Sequence, residues 1–215
     1  MTMQFLKSRE EWLKARKHSI GGSDAAAVLG LSPHMTNVEL WEIKTGRKEP
    51  KDLSDVPVVA YGTKAEEYLR NLFRLDFPEY TVMYEPNNFV TNGSYPGCHV
   101  SLDGRLYDQA GRLGVLEIKT AEIQSAAQKK KWDDGIPQHY YIQLLHEMLI
   151  TGAEFAVLCA QLKWTRDGDV LKVTKHYKLE RKDVEFDMKI LTDAETEFVK
   201  CIKHDTPPDL ILRDI

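Results

Sequence analysis

At 215 residues, 42% hydrophobic and 29% charged, the chain can bury a sizeable core, and one α/β domain with terminal additions is the economical expectation. A formal net charge of -4 excludes an overall basic character, so any nucleic-acid contact must use a local basic surface. The N-terminus shows no apolar signal region and no apolar run is long enough to span a bilayer, so a cytoplasmic location without membrane attachment is expected.

Ser8 and Glu11 have capping-box spacing and should start a helix running to about Lys17. The stretch Lys14-Ala15-Arg16-Lys17 is a candidate basic surface, as is Lys129-Lys130-Lys131; each alone is commonly a solvated helix face. Gly21 and Gly22 precede Ser23, Asp24 and an alanine run, which predicts a short helix ending near Gly30. Its N-terminus has room for a phosphate, with Ser23 as a donor, although a simple cap is the commoner role. A second capping box, Thr36 to Glu39, opens a helix to Thr45 that Gly46 stops. Arg47 to Pro57 reads as an exposed loop. The stretch from Val58 to Leu75 gains helical periodicity in its later part, which carries Glu66. Thr81 to Glu85 and Asn88 to Thr91 read as short strands around Pro86.

The chain is organised around a hairpin over residues 98–120. Val115, Glu117 and Lys119 alternate with Leu116, Ile118 and Thr120, a period of two that sends Glu117 and Lys119 to one face of a strand. A turn at Gln109-Ala110-Gly111-Arg112 folds the preceding strand, His99 to Tyr107, back so that Asp103 lies beside Glu117, with Ser101 on the same face as Asp103. Two carboxylates and one ammonium then meet on neighbouring strands. Hard oxygen ligands suit Mg²⁺, the Ile118 backbone carbonyl can add another, and Lys119 can position or polarise an attacking water. The spacing alone proves little: Glu42-Ile43-Lys44 repeats it in a predicted helix.

Glu122 to Trp132 reads as a helix. Pro137 introduces another, residues 138–149 with Gly152 as the stop, on which Tyr140, Gln143 and Glu147 fit an amphipathic pattern. His146-Glu147 does not extend to a zinc-protease motif, because Ile150 stands where the second His is required. Residues 154–161 and 170–179 read as strands joined by a turn at 166–169. A helix over about 182–203 carries Ile190, Leu191, Ala194, Phe198 and Ile202 at packing spacing, and Pro207-Pro208 ends it. The tail 210–212 can pack on its own subunit or on a neighbour. Cys98, Cys159 and Cys201 form neither a metal spacing nor a disulfide framework and are expected to be reduced thiols.

Asp103, Glu117 and Lys119 in this context resemble the PD-(D/E)xK nuclease core. The segment RKHSIGGSDAAAVLGLSP, followed by LWEIKTG, looks like the opening of the lambda-type exonucleases and their YqaJ relatives. The resemblance extends from Arg16 to Gly152. It implies an α/β, restriction-endonuclease-like core with a central mixed β-sheet flanked by helices, in a single nuclease domain over residues 1–215. Within it, about 8–75 form an N-terminal helical 5′-phosphate-binding part, about 80–180 the catalytic core and about 182–204 a C-terminal helix.

The resemblance also implies roles. Asp103, Glu117 and the Ile118 carbonyl hold one Mg²⁺, and Glu66 shares a second with Asp103, directly or through water; Mn²⁺ can substitute. Lys119 orients the nucleophilic water and Gln143 approaches the active site. Arg16, Ser23 and Ser101 contact the terminal 5′-phosphate, Tyr140 lies near the DNA end, and Val59, seven positions before Glu66, matches a strand-separating wedge. The chain departs from the pattern at Pro33, where the lambda relative has an arginine that probes DNA. The implied activity is 5′ to 3′ digestion of one strand of linear duplex DNA, with release of mononucleotides. The implied assembly is a homotrimer ring partnered by a single-strand annealing protein, phage or prophage encoded. A PD-(D/E)xK endonuclease and a non-catalytic DNA-end-binding scaffold are the alternatives.

Overall fold

Capping and pleat chemistry account for most element boundaries in the computed structural model, which describes residues 1–53 and 55–212; Ser54, in the expected loop, and residues 213–215, at the end of the expected domain, lie outside the described residues. Strand β1 (Thr2–Phe5) precedes helices α1 (Arg9–Arg16), α2 (Gly22–Val28), α3 (Asn37–Lys44) and α4 (Pro57–Asp76). Strands β2 (Thr81–Met83), β3 (Asn88–Thr91), β4 (Gly104–Tyr107) and β5 (Leu113–Glu122) follow. Helices α5 (Ala126–Asp134) and α6 (Gln138–Thr151), strands β6 (Phe155–Arg166) and β7 (Asp169–Glu180), and helix α7 (Glu185–Lys203) complete the order.

Five strands in the order β2-β4-β5-β6-β7 make one mixed sheet, parallel between β5 and β6 and antiparallel elsewhere, while β1 pairs with β3 in a separate ribbon. A parallel pair needs a crossover, and α5 with α6 supplies it. The alternation on β5 divides the core into two layers. Leu116 and Ile118 pack with Ala65, Leu69 and Phe73 of α4, whereas Val115 packs on the face shared with Leu144, Leu145 and Met148 of α6. Glu117 and Lys119 therefore point to the α6 side. At the β6–β7 turn, Asp167 (φ 52°) and Gly168 (φ 89°) supply the two left-handed residues that a tight hairpin needs.

Several expectations are corrected. The strand expected from His99 to Tyr107 joins the β5 ladder only from Gly104, because the Asn88 side chain takes both backbone groups of Leu102 (2.7 and 2.9 Å) in place of a neighbouring strand. The helix expected from Glu122 begins at Ala126: β5 continues to Glu122 in parallel pairing with β6, and Ser125 caps the helix through the Gln128 amide. Pro57 sits in the first turn of α4, so Val59 lies inside the helix, 40% exposed and outside the core. On α7, Leu191 and Phe198 are buried as expected, but Ile190 is exposed. Strand β1 was not expected. Only half of the first capping box forms: Ser8 accepts from the Glu11 amide, while the Glu11 carboxylate accepts from Lys7. The second, Thr36 with Glu39, is complete.

The tail packs on its own chain, Asn37 bonding both the Asp209 carbonyl (2.7 Å) and the Ile211 amide (3.1 Å). Cys98, Cys159 and Cys201 are free. Among the described residues no helix is long and apolar enough to cross a membrane.

One buried polar contact ties α6 to α7 and to the segment before β4. His146 of α6, fully buried, bonds Glu195 of α7 through Nδ1 (2.6 Å) and the His99 carbonyl through Nε2 (2.9 Å). Burial alone would lower the imidazole pKa; the Glu195 carboxylate outweighs it and the net shift is upward. A histidine raised in the folded state adds stability that is fully present below its unfolded pKa of about 6.5 and is lost as pH rises through the folded value. Melting curves should therefore show declining stability on raising the pH above about 6.5, and Glu195→Gln should abolish that decline while lowering stability by about 3 kcal/mol at acid pH. A variant with an unchanged pH profile would refute this account.

Candidate active site

The catalytic candidates gather where β4 ends and β5 continues. Gly104 is opposite Leu116, the last rung of that ladder. One residue earlier, the Asp103 carboxylate takes over the edge: its Oδ2 accepts the Ile118 amide at 2.9 Å. The N–H and C=O of one strand residue lie on the same edge, so the Ile118 carbonyl faces the Asp103 side as well. Arg70 of α4, itself buried, fixes the other side of this corner by donating its Nε–H to the Asp103 carbonyl at 2.6 Å.

Glu117, buried to 3% exposure, is held by two donors on the same oxygen: Lys119 Nζ at 2.5 Å and Gln143 Nε2 at 2.6 Å. The Gln143 amide nitrogen also donates to Glu147 Oε1 at 2.9 Å, one helical turn along α6. Glu147 is 1% exposed, and its Oε2 has no partner among the described residues. Glu66 reaches the same cavity from α4. At the other end, Trp12 donates its indole N–H to Ser101 at 2.9 Å, and the Arg16 guanidinium stacks over the Trp12 ring 4.0 Å from its centroid.

A cavity of about 310 Å³ joins both ends: Arg16, Ser23, Glu66, Ser101, Asp103, Glu117, Lys119 and Gln143 all line it. Tyr140 is not in the lining; Lys119 Nζ lies 5.5 Å from its ring centroid. Val59 is not in the lining. Glu147 and Trp12 are site residues that the sequence reading did not assign; the signal for Glu147 was its i+4 spacing from Gln143. His99 also lines the cavity. It pairs with Ser19 (2.7 Å), and burial, then the Arg16 and Lys44 charges, lower its pKa to about 2, so it is neutral.

The electrostatics are those of crowded carboxylates. Burial, then the Glu117 and Glu66 charges, push Asp103 well above the usual range, against Lys119 and the Ile118 amide. Glu66 is raised by burial and then by Glu117, and Glu147 by the same two causes. Burial opposes the Lys119 charge, but Glu117 and Asp103 outweigh it and its pKa rises. Burial lowers Arg16.

A divalent cation would relieve this excess of negative charge. Among the described residues no three acidic, His or Cys side chains already close into a cage. Mg²⁺ bound by one or two carboxylates, keeping waters and substrate oxygens, needs no cage, so Asp103, Glu117 and the Ile118 carbonyl fit it.

The mixed sheet flanked by helices, with Asp, Glu and Lys at this corner, defines a nuclease fold of the PD-(D/E)xK class. Residues 11–154 match the YqaJ-like viral recombinase domain, and the chain belongs to that family. The uncharacterised protein YqaJ of Bacillus subtilis (strain 168) is 32% identical over 149 residues, which are 69% of this chain and 44% of YqaJ, so the chain spans less than half of that relative. The fold is shared with the alkaline exonuclease LHK-Exo of Laribacter hongkongensis (TM-score 0.60, 16% identity, 91% of this chain and 95% of the other). A phage-related exonuclease of Haemophilus somnus 129PT has the same fold (TM-score 0.51, 12% identity, 87% and 96%).

Gly22 explains why α6 can approach α2 so closely. A Cβ there would lie 3.2 Å from both Gln143 Cγ and Glu147 Oε1, side chains that cannot yield without disturbing the bond to Glu117. Gly22→Ala should destabilise the protein by about 1–2 kcal/mol despite the helix-forming gain of alanine. A urea midpoint equal to or above wild type would contradict this packing.

Proposed function

We propose that this chain is a Mg²⁺-dependent exonuclease that enters linear duplex DNA at a 5′-phosphorylated end, degrades that strand 5′ to 3′ and leaves a 3′ overhang. The observation that carries the reading is the meeting of Asp103, Glu117 and Lys119 in one cavity with Arg16, Ser23 and Ser101. A cavity of about 310 Å³ is the size of a small-ligand pocket. Arg16, Ser23 and Ser101 beside the carboxylates offer donors for a terminal phosphate, which favours entry at an end over cutting within a closed circle. LHK-Exo, whose fold is also seen in complex with dAMP (TM-score 0.59), supports a nucleoside monophosphate as product.

In this reading Arg16, Ser23 and Ser101 bind the terminal phosphate, with Trp12 holding both Arg16 and Ser101. Mg²⁺, or Mn²⁺ in its stead, held by Asp103, Glu117, the Ile118 carbonyl and Glu66, directly or through water, would supply an acidified water and neutralise phosphate charge. Lys119 keeps its proton beside Glu117 and orients the attacking water by donating to it. Gln143 fixes the Glu117 carboxylate. Tyr140, whose hydroxyl burial keeps protonated, lies near the DNA end. The reading includes a homotrimer ring and a single-strand annealing protein that takes up the overhang, in the cytoplasm of a bacterial host. Ring closure lets a chain of net charge -4 hold DNA, because only the channel lining need be basic.

The test is linear duplex DNA carrying a 5′-phosphate on one strand, incubated with Mg²⁺ or EDTA, with closed circles alongside. The phosphorylated strand alone should disappear from its 5′ end, only with Mg²⁺, and Lys119→Ala should slow this by about 10²- to 10⁴-fold. Cutting of circles would replace the reading with an endonuclease; no Mg²⁺-dependent cleavage would replace it with a scaffold. Glu147 gives a second prediction. Glu147→Gln preserves an oxygen acceptor for Gln143 and should cleave within about threefold of wild type, whereas Glu147→Ala leaves a buried N–H unmatched and should lose about tenfold or more. Equal rates for the two variants would remove Glu147 from the machinery.

A further inference from the structure

On the α4 side of the sheet, the β6–β7 hairpin carries two lysines whose charges are not offset. The antiparallel register sets Lys163 directly opposite Lys172. Like charges so opposed are destabilising. Neither lysine forms an ion pair among the described residues, although Glu122 stands beside Lys163 in the parallel β5–β6 register. The hairpin's two other lysines, Lys175 and Lys178, are paired, with Asp133 and Glu180.

The two unpaired ammonium groups are also gathered. Lys163 Nζ lies 3.6 Å and Lys172 Nζ 5.9 Å from the centroid of the Tyr61 ring. Tyr61 cannot swing away, because its hydroxyl donates to Gln161 Oε1 at 2.5 Å. A rigid ring thus converges two flexible cations that would otherwise separate. Tyr61 belongs to the same stretch of α4 as part of the cavity lining. Thr63 and Glu66, two and five residues further along α4, line that cavity, and a Cβ on Gly62 would lie 3.1 Å from the Thr120 hydroxyl, next to Lys119.

We infer that Lys163, Lys172 and Tyr61 form a phosphate clamp for the DNA backbone outside the catalytic cavity, an assignment that rests on the exonuclease reading. A phosphodiester supplies the missing anion, and lysine binds phosphate as a point charge without requiring a fixed approach. The clamp grips the sugar–phosphate chain irrespective of sequence, as a nuclease that advances along any strand requires.

The experiment is equilibrium binding of a fluorescent 5′-phosphorylated linear duplex in EDTA, across a salt series, for wild type, Lys163→Ala/Lys172→Ala and Lys189→Ala. Lys189 is paired with Asp193 and serves as the control for loss of a lysine elsewhere. The double variant should bind more weakly, with the gap widening as salt falls and the slope of log K against log salt reduced by about 1.8, two phosphates released. Lys189→Ala should follow wild type. Single-turnover removal of the first nucleotide at saturating DNA should stay within about twofold of wild type, because neither lysine reaches the reacting atoms. An unchanged slope with intact wild-type binding and cleavage overturns the clamp alone. Equal slope losses in the control do the same. Absence of DNA binding by wild type overturns the clamp, and absence of Mg²⁺-dependent cleavage as well overturns the exonuclease reading with it.

Discussion

The hydrogen bond between the Ile118 amide and the Asp103 carboxylate, 2.9 Å long, stands where a strand is missing. β5 is an interior strand of the sheet, yet from Glu117 onward its β4-side edge has no neighbour, because β4 begins only at Gly104. An exposed interior edge carries amides and carbonyls that must be matched. Asp103 matches the amide and leaves the Ile118 carbonyl facing the gap, so the defect in the ladder becomes an oxygen-lined notch. Asn88, which takes both backbone groups of Leu102, and Arg70, which takes the Asp103 carbonyl, hold the residue in that post from two further elements.

The notch gathers carboxylates. Asp103, Glu66 and Glu147 are all raised by burial and by neighbouring carboxylates, with Lys119 opposing each and Arg70 and Arg9 also opposing at Glu66. Such crowding costs stability and persists only where the rest of the fold enforces it. Here the enforcement is mechanical. Gln143 bridges Glu117 and Glu147 with one amide nitrogen, and Gly22 lets α2 press on that bridge from above. Gln143 and Gly22 thus hold the crowded carboxylates in place from α6 and α2.

How far this could be read in advance depended on whether the signal was periodic. The alternation of Val115 to Thr120, the Asp-Gly turn at 167–168 and the Thr36–Glu39 box are local patterns, and each produced the expected element. The site residues Asp103, Glu117, Lys119 and Gln143 came from the same strand and helix patterns, sharpened by family resemblance, and one cavity collects them. What escaped was set by partners distant in the chain. Nothing around residues 99–103 announces that Asn88 will replace a strand, whereas Pro57 is the same helix-opening signal as Pro137 and places Val59 inside α4, where it is exposed. Trp12 reads as an amphipathic helix residue until it is seen to hold Ser101, 89 residues away.

Charge shows the same division. Runs of basic letters are conspicuous in a sequence, but their members find acids: Lys129 and Lys130 pair one helical turn on with Asp133 and Asp134, and Lys17 pairs with Glu49 from a distant loop. A neutralised cation has little left to offer a phosphate. Among the described residues, Arg16, Lys163 and Lys172 make no ion pair, and all three stack on an aromatic ring instead, Trp12 or Tyr61. A ring fixes a cation in space without cancelling its charge, whereas a carboxylate does both. Cations held by aromatics therefore keep their charge: Arg16 lies within the basic run at 14–17, but Lys163 and Lys172 stand singly along the sequence, where no run reveals them.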